Sequence, residues 1–138
     1  MQLDPTLLRT SFDLIIDRRP DLTMRFYEIL FERYPALQPM FSRAREAQAK
    51  MLAAAIAAVL DHLENAPWLE STLGELGRKH VDYGVTDAMY AQVGDALLAT
   101  LAEAAAESWT PEVEAQWTLA YTTIAALMQR GAAAAAAA

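Results

Sequence analysis

Two histidines are the main candidates for chemistry in this chain of 138 residues, because it contains no cysteine. The lack of thiols excludes a disulfide scaffold, a thiolate-held iron–sulfur cluster and a thiol nucleophile. The sequence also contains no Gly-rich phosphate loop, no nucleophile elbow and no HExxH motif. Two imidazoles are too few for a metal site built from several histidines, so any role in ligation falls to a single side chain.

The two histidines have different neighbours. His62 lies between Asp61 and Leu63 at the polar end of a predicted helix, where a solvated imidazole is expected. His80 falls in the last turn of the next predicted helix, on one face with the leucines that precede it at helical spacing. A histidine on such an apolar stripe is either a satisfied core residue or a ligand, and the spacing alone leaves both interpretations open.

The composition indicates a folded acidic domain. Hydrophobic residues make up 54% of the chain, the mean hydropathy is +0.10 and the net charge is −7 with a pI near 4.7. This excludes a disordered acidic polymer and argues against nucleic-acid binding, which needs a basic face. The longest apolar run, residues 51–60, is half the length of about 20 residues that a membrane span requires. With no signal-peptide pattern at the N-terminus, we expect no membrane insertion and a cytoplasmic location.

The periodicity predicts an all-α fold with six helical segments and no coiled-coil heptads. Residues 35–41 are too short and proline-rich for a long helix and are predicted to form a tight connection. We assign residues 1–131 to one domain and the run of alanines at 132–138 to a tail that is either a helical extension or disordered. The third helix is predicted to end near residues 65–67 and the fourth near Tyr83-Gly84. The predicted helix starts are Asp4-Pro5, Pro20-Asp21, about Arg45, Leu69, Thr86-Asp87 and Thr110-Pro111.

An ordered set of short segments resembles bacterial single-domain globins and the globin part of flavohaemoglobins. The stretch from Leu76 to Val85 around His80, with Tyr90 ten residues further on, is similar to the proximal region of that family. Gln48 and Leu52, which precede His80 by 32 and 28 residues, match its distal helix. Phe26-Tyr27, Pro35 and Phe41 match its second helix and haem-stacking phenylalanine, and residues 90–98 and 117–121 match its last two helices, so the resemblance spans about residues 6–130.

The resemblance implies a globin-like fold of six to seven helices around a haem pocket, with haem b as cofactor. His80 would then be the proximal iron ligand, which is chemically reasonable because the porphyrin supplies four further nitrogens. Tyr27, Gln48 and Leu52 would face the distal side. Without the resemblance, ordinary core or solvated positions are the simpler interpretation of most of these side chains. The residues implied to contact the cofactor are Phe41, Leu76, Lys79, Tyr83, Val85, Tyr90 and Val93.

Three functions follow from the resemblance. The first is binding of O2, for storage or transport, or of NO or CO, with slow O2 release caused by the distal tyrosine and glutamine. The second is nitric oxide dioxygenation that depends on a separate reductase, since no flavin or nicotinamide module follows in this sequence. The third is a haem-based sensor or stress-signalling module. The glutamate that assists the proximal histidine in flavohaemoglobins corresponds here, counted from Trp117, to Ala132.

Overall fold

The chain forms a bundle of six α-helices and two short 3-10 helices in the computed structural model, which describes residues 2–41 and 43–137. No strand occurs in these ranges, so the all-α fold class predicted from the sequence is confirmed. The helices are α1 (Pro5–Arg18), α2 (Leu22–Arg33), a 3-10 helix (Pro35–Met40), α3 (Arg45–Asp61), α4 (Ala66–Asp82), α5 (Asp87–Ala105), a second 3-10 helix (Ala106–Ser108) and α6 (Pro111–Ala137).

Side-chain caps explain where three of the helices begin. The Asp4 carboxylate accepts a hydrogen bond from the Leu7 amide at 3.1 Å, and Pro5 occupies the first turn of α1. The Thr110 hydroxyl accepts from the Val113 amide at 3.2 Å where α6 begins. The Asn65 side chain accepts from the Trp68 amide where α4 begins. These groups satisfy amide hydrogens that have no partner within the helix.

The turn between α3 and α4 lies earlier than the sequence pattern predicts. We expected α3 to reach residues 65–67 and α4 to begin at Leu69, but α3 ends at Asp61 and α4 already begins at Ala66. The Asn65 side chain accepts from the Trp68 amide at 3.1 Å, and Pro67 lies in the first turn. A proline there costs no hydrogen bond, so a residue that looks like a stop signal is part of a helix start.

Three groups of buried side chains form the core. The first joins α1, α5 and α6 and contains Trp117, whose indole nitrogen donates to the Ser11 hydroxyl at 3.0 Å. The second joins α2, α3 and α5 around Phe26 and Leu30. The third joins α4, α5 and α6 and contains Leu73 and other apolar residues beside the His80 segment.

Helix α4 packs almost entirely against α6, and the two backbones approach very closely. A Cβ atom added at Gly77 would run into the Met128 backbone, and one added at Gly131 would run into the Gly74 backbone. A Cβ added at Gly74 itself would meet nothing within 4 Å. We call this contact the α4–α6 interface, and its closeness depends on Gly77 and Gly131 having no side chain.

Membrane insertion was not expected from the short apolar runs. Within the described part of the chain, none of the helices combines the length and the hydropathy that a membrane span needs.

Candidate functional site

His80 lies in the last turn of α4 with one ring nitrogen held by its own helix. Its Nδ1 is 2.8 Å from the Leu76 carbonyl oxygen. A carbonyl oxygen can only accept, so Nδ1 carries the hydrogen of this bond, and in a neutral imidazole Nε2 is then the nitrogen with a free lone pair. The ring is half-buried and its centre is 5.7 Å from that of Tyr83. The geometry therefore orients one ring nitrogen, Nε2, away from the helix backbone contact.

His62 makes the same backbone contact but its ring has a different environment. Its Nδ1 is 2.7 Å from the Ala58 carbonyl oxygen, at the C-terminus of α3. The imidazole is stacked flat on the Trp68 indole, with 3.8 Å between ring centres. The expected helix-end position is right, but the expected solvated state is wrong, since the side chain is half-buried against Trp68. The tryptophan is brought there by the early start of α4.

Apolar residues around the end of α4 belong to the third core group. Leu76 and Val85 pack against it, and Tyr90 of α5 is one of its buried members. The Tyr90 hydroxyl has no hydrogen-bond partner among the described residues. Burial raises the pKa of this hydroxyl, and the nearby Asp87 carboxylate raises it further. An unpaired buried hydroxyl costs about 1–3 kcal/mol, so this position suits an additional polar group.

Tyr27 of α2 lines a small polar cavity of about 200 Å³. Only 5% of its surface is exposed, and its ring packs against those of Phe26 and Phe41 at centre distances of 5.0 and 5.4 Å. Its hydroxyl is 3.5 Å from the Gln48 carbonyl oxygen. Burial raises the pKa of Tyr27 to about 12. We call this the Tyr27 cavity; its lining residues are Tyr27, Phe31, Gln38, Phe41, Arg43, Arg45 and Gln48.

The remaining predicted site residues are divided between the interior and the surface. Leu52 and Val93 pack against the second core group, the one that contains Tyr27. Lys79 is exposed on α4, and Tyr83 has 63% of its surface exposed just after that helix. The structure thus brings Tyr27, Phe41 and Gln48 together at one cavity. The other predicted site residues belong to the second and third core groups or lie at the surface.

Two arginines in the Tyr27 cavity were not singled out by the sequence pattern. Arg43 and Arg45 follow the 3-10 helix and lie beside Phe31 and Gln48 in the folded chain. Their nearness to a buried tyrosine 16 or more residues earlier depends on tertiary packing. The one sequence signal for their position at the cavity was the occurrence of two arginines close to Phe41 in an acidic chain.

A larger groove of about 500 Å³ lies elsewhere, between the start of α4 and the middle of α6. Leu69, Leu127 and Arg130 are among its lining residues. Neither histidine and no predicted distal residue lines this groove, so its larger volume does not make it the candidate site.

The donor set fits a haem better than a metal ion held by protein groups alone. Within the described ranges, no cluster of three or more histidine, aspartate or glutamate side chains is placed to hold a metal. His80 supplies one free nitrogen, which is sufficient when a porphyrin provides the other four. The buried, unpaired Tyr90 hydroxyl beside this region is the kind of polar atom that an additional group would satisfy.

A helical bundle that presents one oriented histidine nitrogen is typical of the class of helical domains that bind a porphyrin. Residues 24–128 match the family model described as Globin. The chain belongs to the globin family.

Known proteins of this family resemble the chain over most of its length. It is 32% identical to the flavohemoprotein of Vibrio cholerae over 122 residues, which cover 86% of this chain and 31% of that protein. The chain thus spans about a third of the curated flavohemoproteins that it matches. A bacterial globin from Campylobacter jejuni superposes with a TM-score of 0.78 at 27% identity, covering 93% of each chain.

One further solved structure shows the fold alone. An engineered carbene transferase, made from a putative nitric oxide dioxygenase of Rhodothermus marinus, is 24% identical. It has a TM-score of 0.84 and covers 99% of this chain, and this chain covers 97% of it. The globin-like fold expected from the sequence is confirmed by these superpositions.

Proposed function

We propose that the protein is a haem-containing globin that binds O2 and other diatomic gases such as NO and CO in the cytoplasm, with His80 as the axial ligand of haem b. The observation that carries the proposal is the Nδ1 contact of His80 with the Leu76 carbonyl oxygen at 2.8 Å. This bond orients the ring and leaves Nε2 as the only ring nitrogen with a free lone pair. His62 cannot serve equally well, because its ring is stacked on Trp68.

Haem, when bound, supplies an iron that coordinates a diatomic gas. The chain's own contribution on the distal side is hydrogen bonding from Tyr27 and Gln48. With its pKa raised to about 12, the Tyr27 hydroxyl keeps its proton at every physiological pH and can donate. A hydrogen bond to a group that gains negative charge contributes about 1.5–3 kcal/mol. Such donors favour retention of polarised O2 over CO.

The hydrogen bonding of His80 favours reversible gas binding as the first function. Its described partner is a backbone carbonyl, and α6 carries no carboxylate after Glu114. A carboxylate partner makes an imidazole a stronger electron donor, whereas a carbonyl does so less. Ala132 stands where the resemblance to flavohaemoglobins places a glutamate. The proximal side therefore resembles that of a carrier more than that of an oxygen-activating enzyme.

Nitric oxide dioxygenation with a separate reductase is the second candidate. It is favoured by the similarity to flavohemoproteins, although this chain spans only about a third of their length. In this reaction NO and O2 combine to give nitrate, and the external reductase restores the ferrous iron. Tyr27 and Gln48 would hold O2 in the orientation that NO attacks.

The visible spectrum of the purified protein tests the first proposal. We expect a Soret band, a five-coordinate ferrous form, and a stable oxygenated form. A preparation reconstituted with haem that shows no Soret band would overturn the proposal. A low-spin six-coordinate ferrous spectrum without added ligand would contradict the distal position of Gln48. Consumption of NO with a supplied reductase, measured with an electrode, separates the second candidate from the first.

A further inference from the structure

Met51 on α3 is the most exposed of the methionines that the structure describes. Half of its surface, 50%, is open to solvent, whereas Met128 is 7% exposed within the third core group. The other described methionines are half-buried against the second core group: Met24, Met40 and Met89. A reagent dissolved in water therefore has its easiest access to the Met51 side chain.

A charged donor lies beside the Met51 sulfur. Arg43, eight residues earlier in the chain, donates to it from Nη1 at 3.0 Å. Among the described residues this guanidinium has no acid within 4.0 Å, although five other arginines do: Arg9, Arg18, Arg19, Arg25 and Arg33. A guanidinium carries five N–H groups, and the contact with the sulfur uses one of them. Further N–H groups of Arg43 are thus available to an atom that approaches the sulfur.

A second methionine sulfur also accepts a hydrogen bond, but in a different setting. The Met89 sulfur accepts from the backbone amide of Thr86 at 3.4 Å, where α5 begins. That donor is neutral and the methionine is half-buried. Of the methionines in the described ranges, Met51 alone combines access from solvent with a positively charged donor at its sulfur.

This combination suits oxygen transfer from a hydroperoxide to a thioether. A sulfur lone pair attacks the terminal peroxide oxygen, an S–O bond forms and the O–O bond breaks. The proton of the transferred oxygen passes to the departing oxygen, which leaves as water or an alcohol. Sulfur loses the two electrons that the peroxide gains, and the product is methionine sulfoxide. Negative charge develops on the departing oxygen, where a cationic N–H donor stabilises it.

We propose that Met51 is a reaction site for small hydroperoxides, with Arg43 as the donor that promotes oxygen transfer to its sulfur. The sulfoxide oxygen is a stronger acceptor than the thioether, so Arg43 also holds the product. The oxidation is reversible, because methionine sulfoxide reductases restore the thioether with electrons from thiols and release the oxygen as water. The reaction needs no haem, so this inference goes beyond the proposed function and does not depend on it.

Exposure alone predicts the opposite effect of the arginine. If access controlled the rate, removal of the Arg43 side chain would uncover the sulfur and oxidation would be faster. If the donor promotes the reaction, its removal makes oxidation slower. Arg45 offers a matched control two residues away, because its guanidinium lies over the Phe31 ring, 5.3 Å from the ring centre, and makes no described contact with Met51. A hydroperoxide is neutral, so loss of one positive charge does not change its concentration at the surface.

The experiment follows the gain of one oxygen atom at each methionine by peptide mass spectrometry. The purified full chain is exposed to tert-butyl hydroperoxide for timed intervals, with cyanide present to occupy any ferric haem iron. We expect Met51 to be oxidised first. Arg43→Leu should slow its oxidation by about five-fold, less than the hundred-fold or more of a buried donor, because water also reaches this site. Arg45→Leu should leave the rate unchanged, and Arg43→Lys, which keeps a cationic donor, should restore part of it.

Slower oxidation of Met51 in Arg43→Leu alone supports the proposal. An unchanged or faster rate in that variant overturns it, as does equal slowing by Arg45→Leu or prior oxidation of another methionine. The buried Met128 reports folding, since its oxidation accelerates only if a variant opens; in that case the rate in Arg43→Lys decides. A protein without a Soret band that shows the Arg43 effect contradicts the proposed function and leaves this site supported, and a haem protein without the effect does the reverse.

Discussion

The α4–α6 interface and the Tyr27 cavity are built by opposite means. At the interface, two backbones touch where Gly77 and Gly131 leave no room for a side chain, and in the described residues no ion pair joins the two helices. The cavity, in contrast, lies between large side chains, and the helix that carries Tyr27, α2, is joined to α5 by an ion pair. Arg33 of α2, for example, lies 2.8 Å from Asp95 of α5.

The α4–α6 interface positions the candidate iron ligand, whereas the polar groups of the Tyr27 cavity would select the gas that binds. His80 is located by a helix whose position depends on backbone contact, so steric changes should affect it most. The proposed role of Tyr27 and its neighbours depends on donor groups and charge, so changes of polarity should affect them most. The predictions below test this division, beginning with the largest expected effect.

Removal of the candidate axial ligand should have the largest effect. His80→Ala is expected to abolish stoichiometric haem retention, because the other imidazole, that of His62, is stacked on Trp68 at the end of α3. His62→Ala, the matched control, should retain haem and lose only its stacking on Trp68. Absorbance of the purified variants after haem reconstitution measures both. If His62→Ala lost the haem and His80→Ala kept it, the assignment would be reversed.

A methyl group added at the α4–α6 interface should have the second largest effect. Gly77→Ala places its Cβ on the Met128 backbone, so α4 must move away from α6. We expect a loss of about 1–3 kcal/mol in unfolding free energy, as for other overpacked sites, together with faster haem loss. Gly74→Ala adds the same methyl group to open space three residues away. It should be neutral or stabilising by up to about 1 kcal/mol, because alanine is the better helix former.

Denaturant unfolding of both glycine variants, with haem transfer to an acceptor protein, measures these effects. Equal behaviour of Gly74→Ala and Gly77→Ala would show that the close approach of the helices does not control the position of His80.

Loss of a distal donor should change O2 release by a smaller factor. Tyr27→Phe and Gln48→Leu are each expected to accelerate O2 dissociation roughly ten-fold, the kinetic equivalent of about 1.4 kcal/mol. CO is less polarised, so its dissociation should change much less. Because the Tyr27 hydroxyl and Gln48 line one cavity, the double variant should show less than the product of the two effects.

Stopped-flow dissociation of both gases from the two single variants and the double variant provides the measurement. Equal acceleration of O2 and CO would mean that the residues act by steric gating, and unchanged rates would place both side chains outside the gas site.

Loss of the Arg33–Asp95 pair between α2 and α5 should have the smallest effect, and this effect should depend on pH. Hydrogen bonds from Arg33 and then Tyr34 lower the pKa of Asp95. The pair therefore contributes stability above the ordinary pKa of aspartate, about 3.9, and loses it as the pH falls through the lowered folded value. Because the groups are half-exposed, we expect Asp95→Asn to cost under about 1 kcal/mol at pH 7.

Thermal unfolding at pH 7 and pH 3 tests this dependence. The difference between Asp95→Asn and the wild type should be smaller at pH 3 than at pH 7, whereas Asp13→Asn, at an exposed acid without a described ion pair, should show little difference at either pH. A difference that is as large at pH 3 as at pH 7 would mean that the asparagine disturbs packing and not charge.

The helices and the location of His80 could be predicted from the sequence because both depend on local patterns. Helical spacing places His80 one turn after Leu76, and that spacing by itself brings Nδ1 to the Leu76 carbonyl. Caps such as Asp4 also act within three residues. The roles of Tyr27, Gln48 and the cofactor contacts came from the family resemblance and remain predictions.

Features that depend on contact between distant segments were missed. The stacking of His62 on Trp68 requires the precise turn between α3 and α4. The sequence shows glycines at 74 and 77 but not which of them faces Met128. Likewise, Arg45 lies over the Phe31 ring only because the fold brings α3 beside α2. The spacing of residues along one helix does not show which segment packs against that helix.

The near-exclusive packing of α4 on α6 has a consequence for hydrogen–deuterium exchange. A helix held by one neighbour can open when that single contact is lost, whereas α5, which packs against α1, α2 and α6, requires wider unfolding. Amides in residues 66–82 should therefore exchange through a local opening of lower free energy than those in residues 87–105. The segment that carries the candidate iron ligand is, in this sense, the first cooperative unit of the bundle to open.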